Sequence, residues 1–320
     1  MQHKFFKIGF LFAFITCICF FIYVFFIPVS PNKKIIVEIK EGDRLNLVAD
    51  NLYNDGVINS KFLFKVWMYL TWNQNKIKIG EYEINPSSTL SQIKSVITSG
   101  RMYNKYITIP EGLTVKQIFE ILNDCNDLNG KITESVEEGY LLPQTYAYNK
   151  TISKNDLVVK MKKAMEEVIN KEWETRDEGL PFKNKKEAII LASVVEKETG
   201  LAEERGLVAS VFINRLNNNW RLQSDPTVIY TLTNKYGNMM GKKLYKKDLE
   251  KETPYNTYKI KGLPVGAIAN PGIDSIRAVL HPVKSDYFYF VADGNGGHKF
   301  AKTLEEHERN RAKWKEIRDK

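Results

Sequence analysis

Histidine and cysteine are scarce in this chain, with four and three copies among 320 residues. Three cysteines cannot build a disulfide framework. His281, His298 and His307 stand far apart and no His-Glu-x-x-His pair occurs, so nothing points to a metal triad or a bound cofactor. Ser193 lacks the Gly-x-Ser-x-Gly elbow of a hydrolase nucleophile. There is no Gly-Lys-Ser/Thr phosphate loop, and the glycine-rich run at Gly294, Gly296 and Gly297 lacks the following helix that a dinucleotide site needs. With 43% hydrophobic and 27% charged residues, wholesale disorder and collagen-like repeats are also excluded. The length suggests about two domains.

Acidic residues fall short of basic ones, 38 against 47, leaving a formal net charge of +9. That balance suits an anionic partner: a membrane surface, a nucleic acid or an acidic polymer. Only one apolar run is long. Residues 8–27 contain no charge, and at about 1.5 Å per residue they span the roughly 30 Å hydrocarbon core of a bilayer. Lys4 and Lys7 precede the run and favour an inside N-terminus, whereas Lys33 and Lys34 follow it and weaken that orientation. A signal peptide has a shorter apolar region ending in small residues, and Ile27-Pro28-Val29-Ser30 makes a poor cleavage site. The run therefore reads as an uncleaved single-span anchor, with everything from about Val29 outside the cytoplasm. Cys125 is the sole cysteine there and reads as a small buried residue. A basic exterior domain meets lipid headgroups or an anionic wall polymer rather than nucleic acid.

The exterior part carries a weak repeat. Val37-Glu38-Ile39-Lys40-Glu41-Gly42 precedes Leu45, Val48, Ala49 and Leu52; seventy residues on, Ile107-Thr108-Ile109-Pro110-Glu111-Gly112 precedes Val115, Ile118, Phe119 and Leu122. Each copy predicts a strand, a tight Glu-Gly turn and an amphipathic helix. Between them, Phe62, Phe64, Trp67, Met68 and Tyr69 share a helix that is either a core face or a platform for sugar rings. A strand is expected over residues 80–84, then a capped helix over residues 90–98 closed by Gly100. Residues 156–173 predict an amphipathic helix, Gly179-Leu180-Pro181 breaks the chain, and the tail from Leu304 predicts a charged, solvated helix.

Residues 188–195 are apolar on every helical face apart from Ser193, so this helix should be buried on every face. Glu196 follows directly. A carboxyl group enclosed at the end of such a helix would have a raised pKa and suit general-acid work, but the periodicity does not separate Glu196 from Glu198, and a solvated helix end accounts for either. Downstream come polar, turn-forming stretches: residues 221–227 leading into an apolar helix from Val228, residues 253–258, Gly262-Leu263-Pro264, and Ala269-Asn270-Pro271-Gly272. Residues 286–291 predict a strand, and His298-Lys299-Phe300 returns after a hairpin loop.

Several of these stretches together resemble the YceG-like (MltG-type) endolytic murein transglycosylases. The resemblance rests on Leu191-Ala192-Ser193-Val194-Val195-Glu196-Lys197-Glu198-Thr199, on Val208-Ala209-Ser210-Val211-Phe212-Ile213-Asn214-Arg215-Leu216, and on Leu222-Gln223-Ser224-Asp225-Pro226-Thr227-Val228-Ile229-Tyr230. Tyr255-Asn256-Thr257-Tyr258, Gly262-Leu263-Pro264 and Ile268-Ala269-Asn270-Pro271-Gly272 complete it. In the stretch Glu138-Gly139-Tyr140-Leu141-Leu142-Pro143-Gln144-Thr145-Tyr146, Gln144 stands where the family usually carries Asp; Thr253 stands where it often carries Ser.

The resemblance implies an α+β chain with a single N-terminal transmembrane helix, a small LysM-like strand–helix module and a larger mixed α+β catalytic domain. The corresponding boundaries are a cytoplasmic tail at 1–7, an anchor at 8–28, the module at 29–105, a second strand–helix unit with a connecting helix at 106–178, and the catalytic domain at 179–320. It implies peptidoglycan glycan strands as substrate, peptidoglycan synthases as partners, no cofactor and no nucleic acid. Glu196 becomes the catalytic acid/base, protonating the glycosidic oxygen and then drawing the proton from the muramic acid C6 hydroxyl as a 1,6-anhydro ring closes. Gln223, Asp225, Tyr255, Asn256 and Asn270 are expected to position the glycan or donate hydrogen bonds to it. A glycan-binding module without chemistry is one alternative. A two-carboxylate hydrolase using Asp225 or Glu198 is another.

Overall fold

The computed structural model describes residues 2–236 and 244–319, with only the backbone given for residues 2–4, 6 and 234–236. Met1, the side chain of Lys4, residues 237–243 and Lys320, which enter the tail and catalytic-domain assignments, lie outside the described residues. The described residues form a mixed α+β protein of twelve helices and six short strands, the strands paired in twos. The chain divides into two compact units, residues 1–106 with 147–152, and residues 107–146 with 153–320. A boundary near 179 therefore falls inside the second unit.

In the first unit, α1 (Gln2–Phe26) is the long apolar helix; its span Lys7–Phe26 is long and apolar enough to cross a membrane. β1 (Ile35–Ile39) pairs antiparallel with β2 (Gly80–Ile84), Ile35 opposite Ile84 and Ile39 opposite Gly80. α2 (Leu45–Asn54) buries Leu45, Val48, Ala49 and Leu52, the four residues whose spacing predicted the helix. The aromatic segment forms α3 (Lys61–Leu70), but its large side chains divide: Phe64 and Met68 are core, whereas Phe62 and Tyr69 face solvent. α4 (Leu90–Ser99) begins at a Thr89–Gln92 capping box and stops at Gly100, whose left-handed backbone (φ 76°) is costly for other residues. The chain crosses between units at the paired strands β3 (Lys105–Thr108) and β4 (Thr145–Tyr148). β3 stops short of the expected 107–110 because Pro110 has no N–H for the ladder.

The second unit is mainly helical. α5 (Val115–Asp124) and α6 (Lys154–Glu174) precede α7 (Lys185–Glu198), in which every residue from Ala188 to Val195 is buried. α8 (Ala202–Asn217) and α11 (Ile273–Leu280) pack against α7 and each other, and α6 packs on α7 and α11. α7 is thus the axis of the core, with Leu191, Val194, Val195, Val208, Phe212, Ile276 and Val279 in one cluster. α9 (Asp225–Tyr236) starts three residues before the expected Val228. Pro226 explains this, since a proline in the first turn gives up an N–H that has no helical partner there. A single turn, α10 (Lys246–Leu249), follows. β5 (Tyr289–Ala292) and β6 (His298–Ala301) form the expected hairpin, and α12 (Leu304–Arg318) has no buried residue, as its charges predict. β5 starts later than residue 286 because α8 captures the preceding carbonyls: Asn214 donates to Ser285 O and Tyr287 O at 2.8 and 2.9 Å, and Arg215 Nε donates to Phe288 O at 2.8 Å.

Candidate active site

Four segments of the second unit meet at the C-terminal end of α7. Glu196 is not a solvated helix end: its side chain is 6% exposed. Its Oε2 accepts hydrogen bonds from Gly272 N at 3.0 Å and Ser275 Oγ at 2.6 Å, both at the start of α11. Its Oε1 lies 3.9 Å from Arg205 Nη2 of α8. The same nitrogen donates to Glu111 Oε2 at 3.3 Å, and Arg205 Nη1 lies 3.6 Å from Asp274 Oδ2. Glu111, from the turn after β3, lies over Gly272: a Cβ built there would come within 1.9 Å of Glu111 Oε1. Partial burial and the neighbouring charges of Glu196 and Asp274 push the Glu111 carboxyl above its ordinary range, with Arg205 opposing them.

The loops holding these groups are fastened by buried polar side chains. Asn270 is fully buried. Its Oδ1 accepts from Leu141 N at 2.8 Å, and its Nδ2 donates to Leu113 O and Glu138 Oε1, both at 3.0 Å. Glu138 also accepts from Val115 N at 2.7 Å, and burial raises its pKa despite these donors. Ser193 joins α7 to the same loop by accepting from Ile268 N at 3.0 Å while donating to Ile190 O. Lys197 ties the Glu111 turn to α7 by donating to Gly112 O at 3.1 Å.

The expected donors do not all converge here. Asn256 is buried, and its amide donates to Leu249 O and Lys251 O while its Oδ1 accepts from Tyr258 N. Asn256 and Asn270 thus act as loop clasps, their amide N–H groups engaged with neighbouring loops. Asp225 is exposed and accepts from Tyr258 Oη at 2.6 Å. Gln223 is exposed, has φ 52° and donates its backbone N–H to Thr257 O. Tyr255 rests 5.0 Å from the ring of Tyr230. Tyr230 lines two openings. One, of about 360 Å³, is bordered by Gly112, Lys197 and Ile229; the other, of about 240 Å³, by Tyr140, Tyr255 and Glu138.

Glu198 points elsewhere. Although the residue is partly exposed, its carboxyl is enclosed, accepts from Ser224 Oγ and feels the charges of Asp225 and Arg215. Burial pushes its pKa up to about 7. Two positions along a helix turn a side chain by about 200°, so Glu196 and Glu198 work on different faces of α7. Glu111, Arg205 and Ser275 were not singled out by the sequence. Glu111 shows there only as part of a Glu-Gly turn, and Arg205 follows two acids in an ordinary helical first turn. Among the described residues no group of three His, Cys, Asp or Glu side chains converges as metal ligands.

The model of the YceG-like family matches residues 37–313. The chain belongs to the YceG-like family. Among the relatives of this YceG-like chain, an endolytic murein transglycosylase of Bacillus subtilis is 34% identical, covering 92% of this chain and 88% of that protein. An endolytic murein transglycosylase of Streptococcus pneumoniae is 27% identical over 89% of this chain, which spans only 59% of that protein. A crystal structure of a YceG-like protein from Listeria monocytogenes has a TM-score of 0.54 and 32% identity, covering 87% of this chain and 98% of that one.

Proposed function

We propose that this YceG-like protein is a membrane-anchored endolytic murein transglycosylase. It is a lyase that cuts peptidoglycan strands internally between N-acetylmuramic acid and N-acetylglucosamine and leaves 1,6-anhydromuramic ends. The observation that carries the reading is Glu196: a nearly enclosed carboxyl at the end of an all-buried helix, with two donors fixed on one oxygen and an arginine near the other. The relatives in Bacillus subtilis and Streptococcus pneumoniae carry the same activity in their names.

The geometry around Glu196 supports this chemistry. Gly272 N–H and Ser275 O–H fix the orientation of Glu196, so the remaining carboxyl oxygen has a defined direction. Glu196 gives its proton to the glycosidic oxygen as the C1–O bond breaks, and the resulting carboxylate takes the proton of the muramic acid C6 hydroxyl, whose oxygen closes on C1. Water is not consumed. Tyr230 and Tyr255, with their rings 5.0 Å apart, would offer faces to the sugar chain, and the exposed Gln223 and Asp225 would touch it from the turn before α9 and its first residue. The hydrolase alternative finds little support: Asp225 is bound by Tyr258, and Glu198 is bound by Ser224 on another face of α7.

α1 would hold the enzyme in the cell membrane, N-terminus inside, with the catalytic unit outside the cytoplasm. There it would meet new strands beside peptidoglycan synthases and end their elongation, with the LysM-like module holding the glycan. Replacing Glu196 with Gln, which keeps the shape and removes the proton chemistry, should abolish strand cleavage while strand binding persists. Cleavage at the wild-type rate by this variant contradicts the assignment; a wild type that binds but never cuts makes the protein a binding module.

A further inference from the structure

α3 carries two lysines, no acid and an apolar or aromatic side chain at every other position. Phe64 and Met68 enter the core of the first unit. At 3.6 residues per turn, Tyr69, Phe62, Val66, Leu70, Leu63 and Trp67 follow one another round another side of the helix, over an arc of about 160°. Phe62, Tyr69 and Leu70 on this arc are 69%, 59% and 62% exposed. A helix of a water-soluble module turns its polar side outward, so an apolar outer face of this width calls for a partner other than water.

α1, in the same unit, indicates what that partner is. The Trp67 ring packs edge-on against Phe20 and Phe25, with centroids 6.3 and 5.3 Å away. Val24 is buried in the core of the unit, and Phe20 and Tyr23 pack against it. The chain then leaves α1 without slack: Val29 N donates to Ser88 O at 2.9 Å, Ser30 Oγ to Asn85 O at 3.1 Å, and Ser88 N to Ser30 Oγ at 2.6 Å. With α1 as a membrane span, these contacts fix a depth. The apolar residues before Phe20, 8–19, reach about 18 Å, too little for a hydrocarbon core of roughly 30 Å. Phe20 therefore lies within the bilayer, and Trp67, which touches both Phe20 and Phe25, packs within about 9 Å of the outer end of the span at Phe26.

We propose that the apolar face of α3 is seated in the outer leaflet of the bilayer that α1 crosses, with Trp67 where acyl chains meet headgroups. The inference rests on the reading of α1 as an anchor and makes the module behind it a second part of the attachment. Trp and Tyr favour that layer because each has an apolar ring and a polar N–H or O–H. Lys94 of α4, a helix that packs on α1, holds its Nζ 4.9 Å from the Trp67 ring centroid, at the level of lipid phosphates. Lys61 and Lys65 border the apolar arc on its other side, where their stems can lie along it while their ammonium groups reach the headgroups. The continuity of the face with α1 selects lipid over a second copy of the chain, since Trp67 is already beside a residue at membrane depth. The module is then held flat on the membrane instead of swinging on a tether.

The test uses the unaltered full-length protein, one copy per nanodisc of phosphatidylcholine and phosphatidylglycerol. A small share of the phosphatidylcholine carries a photoactivated diazirine in its acyl chain, and the labelled peptides are mapped by mass spectrometry after irradiation. Label should enter α1 and residues 62–70, the latter at about tenfold the level found in the charged, solvated helix α12. Label in α1 with residues 62–70 at the α12 level overturns the proposal and leaves the anchor standing. Crosslinks joining α3 of two copies in discs loaded with two, together with that low level, assign the face to a second copy instead. Label absent from both α1 and α3 brings down the reading of α1 as an anchor.

Discussion

Gly272 shows how much of the site depends on one missing methyl group. Its φ of −72° is open to any residue, so backbone freedom is not the reason for glycine here. The reason is space, since a Cβ would meet the Glu111 carboxylate. That carboxylate is the end of a flexible side chain and can move aside. Gly272→Ala should therefore leave the melting temperature nearly unchanged while lowering the cleavage rate about 10- to 100-fold, because Gly272 N–H holds the Glu196 carboxyl. Glu198 makes a different prediction. Its carboxyl has a folded-state pKa of about 7 against an ordinary value of 4.5. The folded protein therefore holds this proton more tightly than the unfolded chain does. The resulting stability is complete below about pH 4.5 and is lost as pH rises through about 7. Glu198→Gln keeps a partner for Ser224 and has no proton to lose. Denaturant titrations should find it more stable than wild type at pH 8, with the difference shrinking toward pH 5.

Among elements, the loop running from Gly262 to Gly272 is the piece on which the site hangs. Asn270, itself fully buried, fastens it with an amide whose three side-chain bonds end on Leu141, Leu113 and Glu138. Asn270→Ala would leave Leu141 N, Leu113 O and Glu138 wanting, at a cost of about 2–4 kcal/mol in urea unfolding. Glycan-strand affinity measured on the folded fraction should stay near wild type. Gly139 supports the same loop: at φ +91° it is in left-handed territory, and a Cβ would approach Ala267 Cβ and Ile189 Cγ2 to 2.7 Å. These elements also mark the limit of what a sequence discloses. The all-apolar face of α7 and the i, i+3, i+4 spacing of α2 are visible because burial leaves a periodic trace. Glu196 could not be told from Glu198 because the distinction depends on α11, which approaches α7 from a remote part of the chain, and on the face against which the next helix, α8, folds back. For a similar reason the sequence could not show that Asn256 and Asn270 also clasp backbone carbonyls. A polar residue in a proline-containing turn looks the same in sequence whether it faces a sugar or clasps a carbonyl. Glu111 stayed hidden inside a repeat whose first copy has the same Glu-Gly turn, and only the second copy meets Arg205.

At the scale of the whole molecule, α1 and the catalytic unit serve one purpose in this account. A lyase that cuts strands anywhere would weaken the wall, whereas one tethered at the membrane face meets strands as they emerge. A variant lacking residues 1–28 and exported in soluble form should cut purified strands but fail to restore normal strand length in cells that lack the full-length protein. Equal strand lengths from the soluble and anchored forms would remove the anchor from the mechanism. The most direct test of the central claim is the mass of the new ends made by full-length protein on purified glycan strands, wild type beside Glu196→Gln. The account predicts internal fragments ending in 1,6-anhydromuramic acid from the wild type and none from the variant. Hydrated reducing ends from the wild type, or anhydro ends from the variant, would contradict it.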